Sequence, residues 1–231
     1  MLARDIMSVG VATISPDTPV HEVARLLLDR HISGVPVVDA DGLVVGIVSE
    51  GDLMFRAETG TERRRSWWQS FVTSPQEAAA DYVKAHGLRA ADVMTREVES
   101  VGEDTPLAEI AARFAERRIK RVPVLREGRL VGIVSRADLL RALVSAAPES
   151  AGISADDTTV RTAILDELRR EDWAAGTHVN VVVADGAVHL WGIVDSEDQR
   201  RAIRVAAERT AGVRKVIDHL VVAPAAFYGA T

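Results

Sequence analysis

Apolar residues recur along this chain at helix-like and strand-like spacings in turn, and the whole alternation occurs twice. Val23, Leu26 and Leu27 fall at the three- and four-residue intervals of one helix face, and the segment closes near His31. Thr18 is read as its N-cap and Pro19 as its first residue, where a missing N–H costs no hydrogen bond. Two β-branched runs follow at 35–38 and 43–48, parted by the hairpin pair Asp41-Gly42. Ser49 then opens a second helix through Leu53.

The same order returns at a constant interval. Asp5-Ile6-Met7 recurs as Asp92-Val93-Met94, Asp17-Thr18-Pro19 as Asp104-Thr105-Pro106, and Val35-Pro36-Val37 as Val122-Pro123-Val124. After a one-residue deletion, Gly46-Ile47-Val48-Ser49 recurs as Gly132-Ile133-Val134-Ser135, and Asp52-Leu53 as Asp138-Leu139. Each repeat reads as strand, helix, strand, strand, helix. Between them, Ala78 to Ala80 favour a helix leading into Tyr82 and Val83, with Gly87 as its stop. A third segment follows a linker and shares no pattern with the repeats. Val160, Ile164, Leu165 and Leu168 mark a helix, residues 179–183 and 188–194 mark strands joined by Asp185-Gly186, Ser196 or Asp195 caps a second helix closed by Gly212, and residues 216–222 form a last strand. The expected fold is α/β of the α+β kind. It comprises repeat one at 1–57, a partly helical insert at 58–88, repeat two at 89–145, a linker at 146–155, an αββαβ domain at 156–223 and a tail at 224–231.

A chain of 231 residues with ordinary apolar and charged fractions buries real cores and folds. Its net charge of −6 disfavours nucleic acid as the main partner. With no cysteine, disulfides, thiolate catalysis and Cys-ligated zinc are excluded. Asp5 interrupts any apolar core of a secretory signal, which points to the cytoplasm. The six histidines form no metal-ligand spacing, and there is no nucleophile elbow, Lys-bearing phosphate loop or dinucleotide fingerprint, so the expectation is that the chain is not an enzyme.

The chemistry concentrates in Ser49-Glu50-Gly51-Asp52 and Ser135-Arg136-Ala137-Asp138, each at a strand-to-helix turn. One reading is a helix cap, with Ser and the Asp three residues on satisfying first-turn groups. The other uses the same geometry for a ligand, since free N–H groups suit a phosphate and a fixed carboxylate accepts two ribose hydroxyls. Paired repeats carrying Val-Pro-Val and then Gly-Ile-Val-Ser-x-x-Asp resemble CBS domains over residues 1 to 145. The resemblance implies a pseudo-two-fold module with two clefts for AMP, ADP or ATP. In it, Asp52 and Asp138 would hold ribose and Ser49 and Ser135 phosphate, while main chain at Thr13, Ile14, Val35, Pro36, Ser100, Val101, Val122 and Pro123 would frame the base. Lys120-Arg121 stand where the first repeat has Ser33-Gly34, so the second cleft is expected to be the tighter phosphate site. The resemblance also implies a homodimer through the CBS helices.

Residues 179–181, 185–192 and 212–216 resemble the BON family, which implies an interaction domain for phospholipid or for an unknown protein partner. Arg200, Arg201 and Arg204 are read either as a solvated helix face or as a basic binding face. Trp67 and Trp68, after Arg63-Arg64-Arg65, are read as packing against a helix or a second subunit rather than as a membrane or nucleic-acid contact. The combined expectation is a nucleotide sensor coupled to an interaction domain. The alternative is a non-catalytic protein or phospholipid adaptor whose clefts are structural or take another adenosyl ligand.

Overall fold

The computed structural model describes residues 1–54, 61, 82–145, 155–175 and 177–223. The Arg63–Trp68 cluster, Ala78 to Ala80, most of the linker and the tail lie outside the described residues. In chain order the elements are α1 (Ala3–Ile6), α2 (Val20–Asp29), β1 (Gly34–Val38), β2 (Val44–Ser49), α3 (Glu50–Leu53), α4 (Ala90–Val93), β3 (Val101–Gly102), α5 (Leu107–Glu116), β4 (Arg121–Arg126), β5 (Arg129–Ser135) and α6 (Arg136–Ser145). The C-terminal domain continues with α7 (Ala155–Arg170), a 3-10 turn (Asp172–Ala174), β6 (His178–Ala184), β7 (Ala187–Val194), α8 (Glu197–Arg209) and β8 (Lys215–Val222). The fold is mixed α/β. Its contacts form two compact units, residues 11–99 with 126–130, and residues 1–10 with 100–125 and 131 onward.

In the first unit β1 and β2 form an antiparallel hairpin. Ile14 extends it in parallel, its N–H donating to Pro36 O at 3.1 Å and its carbonyl accepting from Val38 N at 2.9 Å. Helix α2 buries Val23 and Leu27 against Val35, Val37 and Val48, which is the stripe its periodicity predicts. Its start differs from the sequence reading. Pro19 is the N-cap rather than the first helical residue, and the Thr18 hydroxyl accepts the Ser15 N–H at 3.1 Å instead of capping the helix. The local turn takes the oxygen that the cap would need. Ala90, Val93 and Met94 complete this core.

The second unit mirrors that arrangement with β3, β4 and β5, and with Ile110 and Phe114 buried on α5. Its core takes in Ala3, Ile6 and Met7 from the chain's start. Linear boundaries at 1–57 and 89–145 therefore describe the repeats in sequence, whereas the short α1 and α4 helices each close the core of the other repeat. Glycine is required where they land. A Cβ on Gly132 would lie 2.4 Å from Met7 Sδ, and one on Gly46 the same distance from Met94 Sδ.

The C-terminal sheet pairs β6 antiparallel to β7 and β7 parallel to β8. Helices α7 and α8 cover one face through Ile164, Leu165, Leu168, Ile203 and Ala207, packed on Val181, Val183, Val188, Leu190 and Leu220. Ser196 caps α8 as predicted, its hydroxyl accepting Gln199 N at 3.1 Å. Register puts Asn180, Val182, His189, Trp191 and His219 on the opposite face. Val182 from that face packs into the core of the second repeat.

Candidate functional site

In each repeat the predicted residues lie partly along paired strand backbone and partly at the strand-to-helix turn. In the first, Gly34, Val35 and Pro36 are buried on β1 alongside Ile14, with Thr13 exposed beside them. Ser33 O accepts from Glu50 N at 3.2 Å, tying the start of β1 to the first residue of α3. The Ser49 N–H and hydroxyl both donate to Asp52 Oδ2, at 2.9 and 2.7 Å. Asp52 Oδ1 takes no part in this cap and has Lys84 Nζ 3.5 Å from it. The capping reading and the ligand reading are thus compatible, because the cap uses Oδ2 alone and leaves Oδ1 to a lysine side chain.

The second repeat is built alike. Val101 pairs in parallel with Val124, the Ser100 carbonyl accepts from Arg113 at 3.2 Å, and Val122 and Pro123 are buried on β4. Lys120 O accepts from Arg136 N at 3.0 Å, so the basic pair Lys120 and Arg121 stands at the start of α6, as Ser33 and Gly34 stand at the start of α3. The Ser135 N–H and hydroxyl donate to Asp138 Oδ2, both at 2.7 Å. Asp138 is 2% exposed. Its Oδ1 accepts from Arg141 at 2.7 Å and from the Asn180 side-chain amide at 2.9 Å.

Sequence reading missed Asn180, Arg141, Lys84 and Arg161. Asn180 had a signal, being the one polar residue in Val179-Asn180-Val181-Val182-Val183. An amide in a strand of valines needs a buried partner. Arg161, 6% exposed on α7, donates to Val181 O at 2.8 Å and to Met7 O at 2.6 Å, and burial pushes its pKa down to about 10 despite the carboxylates of Asp5 and Asp138.

The CBS domain pattern matches residues 3–58 and 90–145, and the BON domain pattern matches residues 156–224. An uncharacterized protein of Methanocaldococcus jannaschii is 34% identical over 155 residues, covering 62% of this chain and 92% of that one. The chain belongs to the CBS-domain family. It carries two CBS domains followed by a BON domain. The Arabidopsis thaliana CBS domain-containing protein CBSX1, chloroplastic, is 33% identical over 139 residues, 56% of this chain and 57% of that protein. The chain thus spans about half of that relative. The crystal structure of CBSX2 in complex with AMP superposes with a TM-score of 0.55 and 28% identity, over 63% of this chain and 97% of that one. An inosine-5'-monophosphate dehydrogenase of M. jannaschii matches over 23% of its own length, and only in the CBS part. No helix among the described residues is long and apolar enough to cross a membrane.

On the BON domain, the arginines read as a basic face are each engaged by an acid. Arg200 pairs with Asp218 at 2.9 Å, Arg201 with Asp198, and Arg204 with Glu208 at 3.5 Å. That favours the solvated-face reading. On the sheet, His189 Nδ1 lies 3.2 Å from His219 Nε2, and His219 stacks on Trp191 at 3.7 Å between centroids. Burial lowers the His189 pKa, and the nearby His219 and Lys215 lower it further. The fold therefore favours the neutral ring. Its contribution to stability is complete above the unfolded value of about 6.5 and declines as pH falls below it, because the unfolded chain takes the proton first. The melting temperature is expected to drop between pH 7.5 and 5.5, and His189→Gln to flatten the drop. An identical slope in that variant would refute this account.

Proposed function

We propose that the CBS repeats bind an adenosine-containing ligand of the AMP, ADP or ATP type, and that the chain is a regulatory sensor whose BON domain carries the response. The observation that supports this reading is the Asp52 oxygen that the Ser49 cap does not use, in a chain similar to a protein crystallised with AMP. In the first cleft Asp52 accepts the ribose hydroxyls, Ser49 meets phosphate, and Thr13, Ile14 and residues 33–36 line the base. In the second, Asp138, Ser135, Lys120 and Arg121 play the matching parts, with Ser100, Val101, Val122 and Pro123 at the base. The guanidinium and ammonium of the second cleft favour the more highly charged phosphates. Dimerisation through CBS helices is supported by Leu140, Leu143 and Val144, which α6 leaves 57–72% exposed.

Hydrogen bonds from two hydroxyls to a carboxylate contribute about 1.5–3 kcal/mol each when fully made. Removing the acceptor is expected to weaken binding at that cleft by about tenfold or more. In thermal-shift and calorimetric titrations with AMP, ADP, ATP and S-adenosylmethionine, at least one should raise the melting temperature, and Asp52→Ala should weaken binding at the first cleft. An unchanged melting temperature with every ligand would overturn the sensor reading.

A further inference from the structure

The two cleft carboxylates meet different neighbours. Asp52 Oδ1 faces the end of one long lysine side chain, and the Asp52 side chain keeps 14% of its surface exposed. Asp138 Oδ1 accepts from Arg141 and from Asn180, and its side chain is 2% exposed. Asn180 belongs to the BON strand β6, and the same amide nitrogen lies 2.9 Å from Ile6 O and 3.2 Å from Ser8 Oγ. A carboxylate oxygen accepts along two lone-pair directions, and on Asp138 both oxygens already have two donors each. Nothing remains for a ribose diol.

From this geometry we infer that the BON domain is an internal competitor for the second cleft: Asn180 holds the carboxylate that an adenosyl ligand would use, so ligand in that cleft and docked β6 exclude each other. The inference rests on the nucleotide reading of the cleft.

The dock has the character of a contact that opens. Three buried polar atoms have no hydrogen-bond partner among the described residues: Asn180 Oδ1 and Trp191 Nε1 on the sheet face, and Ser145 Oγ at the end of α6. Stranding polar atoms away from water makes docking less favourable. A ligand able to form charge-assisted contacts with Lys120 and Arg121 has the means to displace it. The basic pair stands in the second repeat, where displacement is required. By linkage, docking weakens ligand binding by the same factor that ligand weakens docking.

Because the chain has no cysteine, a single thiol reports on the dock without background. Val182→Cys places it at a fully buried position on the docked face. In the full chain, labelling by a thiol reagent is expected to be slow alone and about tenfold faster with saturating AMP or ATP. It is expected to be fast without ligand when Asn180→Ala, or Asn180→Asp with its like charge against Asp138, is added. Titration of Asn180→Ala should show the second cleft binding about tenfold tighter than in the parent. Two ligands bound per chain with unchanged labelling would overturn the exclusion, as would equal second-cleft affinity with and without Asn180. Failure of AMP and ATP to bind either the parent or Asn180→Ala would overturn the nucleotide reading itself and the competition with it. The thiol rate of Asn180→Ala alone would still show whether Asn180 holds the dock.

Discussion

Replacing Ile6 by alanine is expected to destabilise the second CBS repeat, not the first, by about 2–5 kcal/mol. Ile6 is fully buried among Val101, Ile110, Phe114, Val122, Val124 and Val134. The segment around it is fastened there by backbone bonds: Ala3 N to Thr105 O at 2.9 Å, Arg4 N to Glu103 O at 3.0 Å, and reciprocal bonds between Ser8 and Ile133 at 2.9 and 3.0 Å. Those bonds keep α1 in place, so the space left by the missing side chain cannot collapse fully, and the cavity cost adds to the lost transfer energy. Val93→Ala is the control, because Val93 is fully buried in the first repeat's core beside Val23, Val35 and Val48. Hydrogen exchange read peptide by peptide should show Ile6→Ala loosening residues 101–135 and Val93→Ala loosening residues 14–48. The reverse pattern would mean that each short helix serves its own repeat.

That exchange of helices marks the limit of what the sequence reveals. The repeats, the hairpins at Asp41-Gly42 and Asp185-Gly186, the helix stripes and the Ser-x-x-Asp caps are all legible, because each depends on residues within a few positions of one another. Asp5-Ile6-Met7 and Asp92-Val93-Met94 are equally visible as repeated motifs. Where they pack is a tertiary choice that no local periodicity encodes. The off-by-one start of α2 has a local cause, the competition between Ser15 N–H and the helix end for the Thr18 hydroxyl. In the clefts, the sequence identifies Asp138 and its serine but not its state. The residue that closes on it, Asn180, lies in another domain, and its only trace is a polar side chain in an apolar strand.

Arg161→Met is expected to cost about 2–4 kcal/mol and to uncouple the BON domain from the second repeat. The guanidinium is the donor for two buried carbonyls, Val181 O in the BON sheet and Met7 O in the second repeat's core. A pKa of about 10 records how strongly burial opposes its charge, and still leaves it protonated at neutral pH. The charge itself is therefore an expense, and what keeps arginine in place is the fork of N–H groups reaching both acceptors at once. Methionine matches the length and apolar volume but strands both carbonyls, each at about 1–3 kcal/mol. It also removes a buried positive charge that interacts with the carboxylates of Asp5 and Asp138, leaving Arg141 as the direct partner of Asp138. Lysine keeps the charge but lacks the fork, so Arg161→Lys should recover less than half of the loss. In calorimetry, the second repeat and the BON domain should melt together in the parent and separately in Arg161→Met. One cooperative transition at the parental temperature in that variant would show that the contact rests on the apolar packing of Val182 rather than on Arg161.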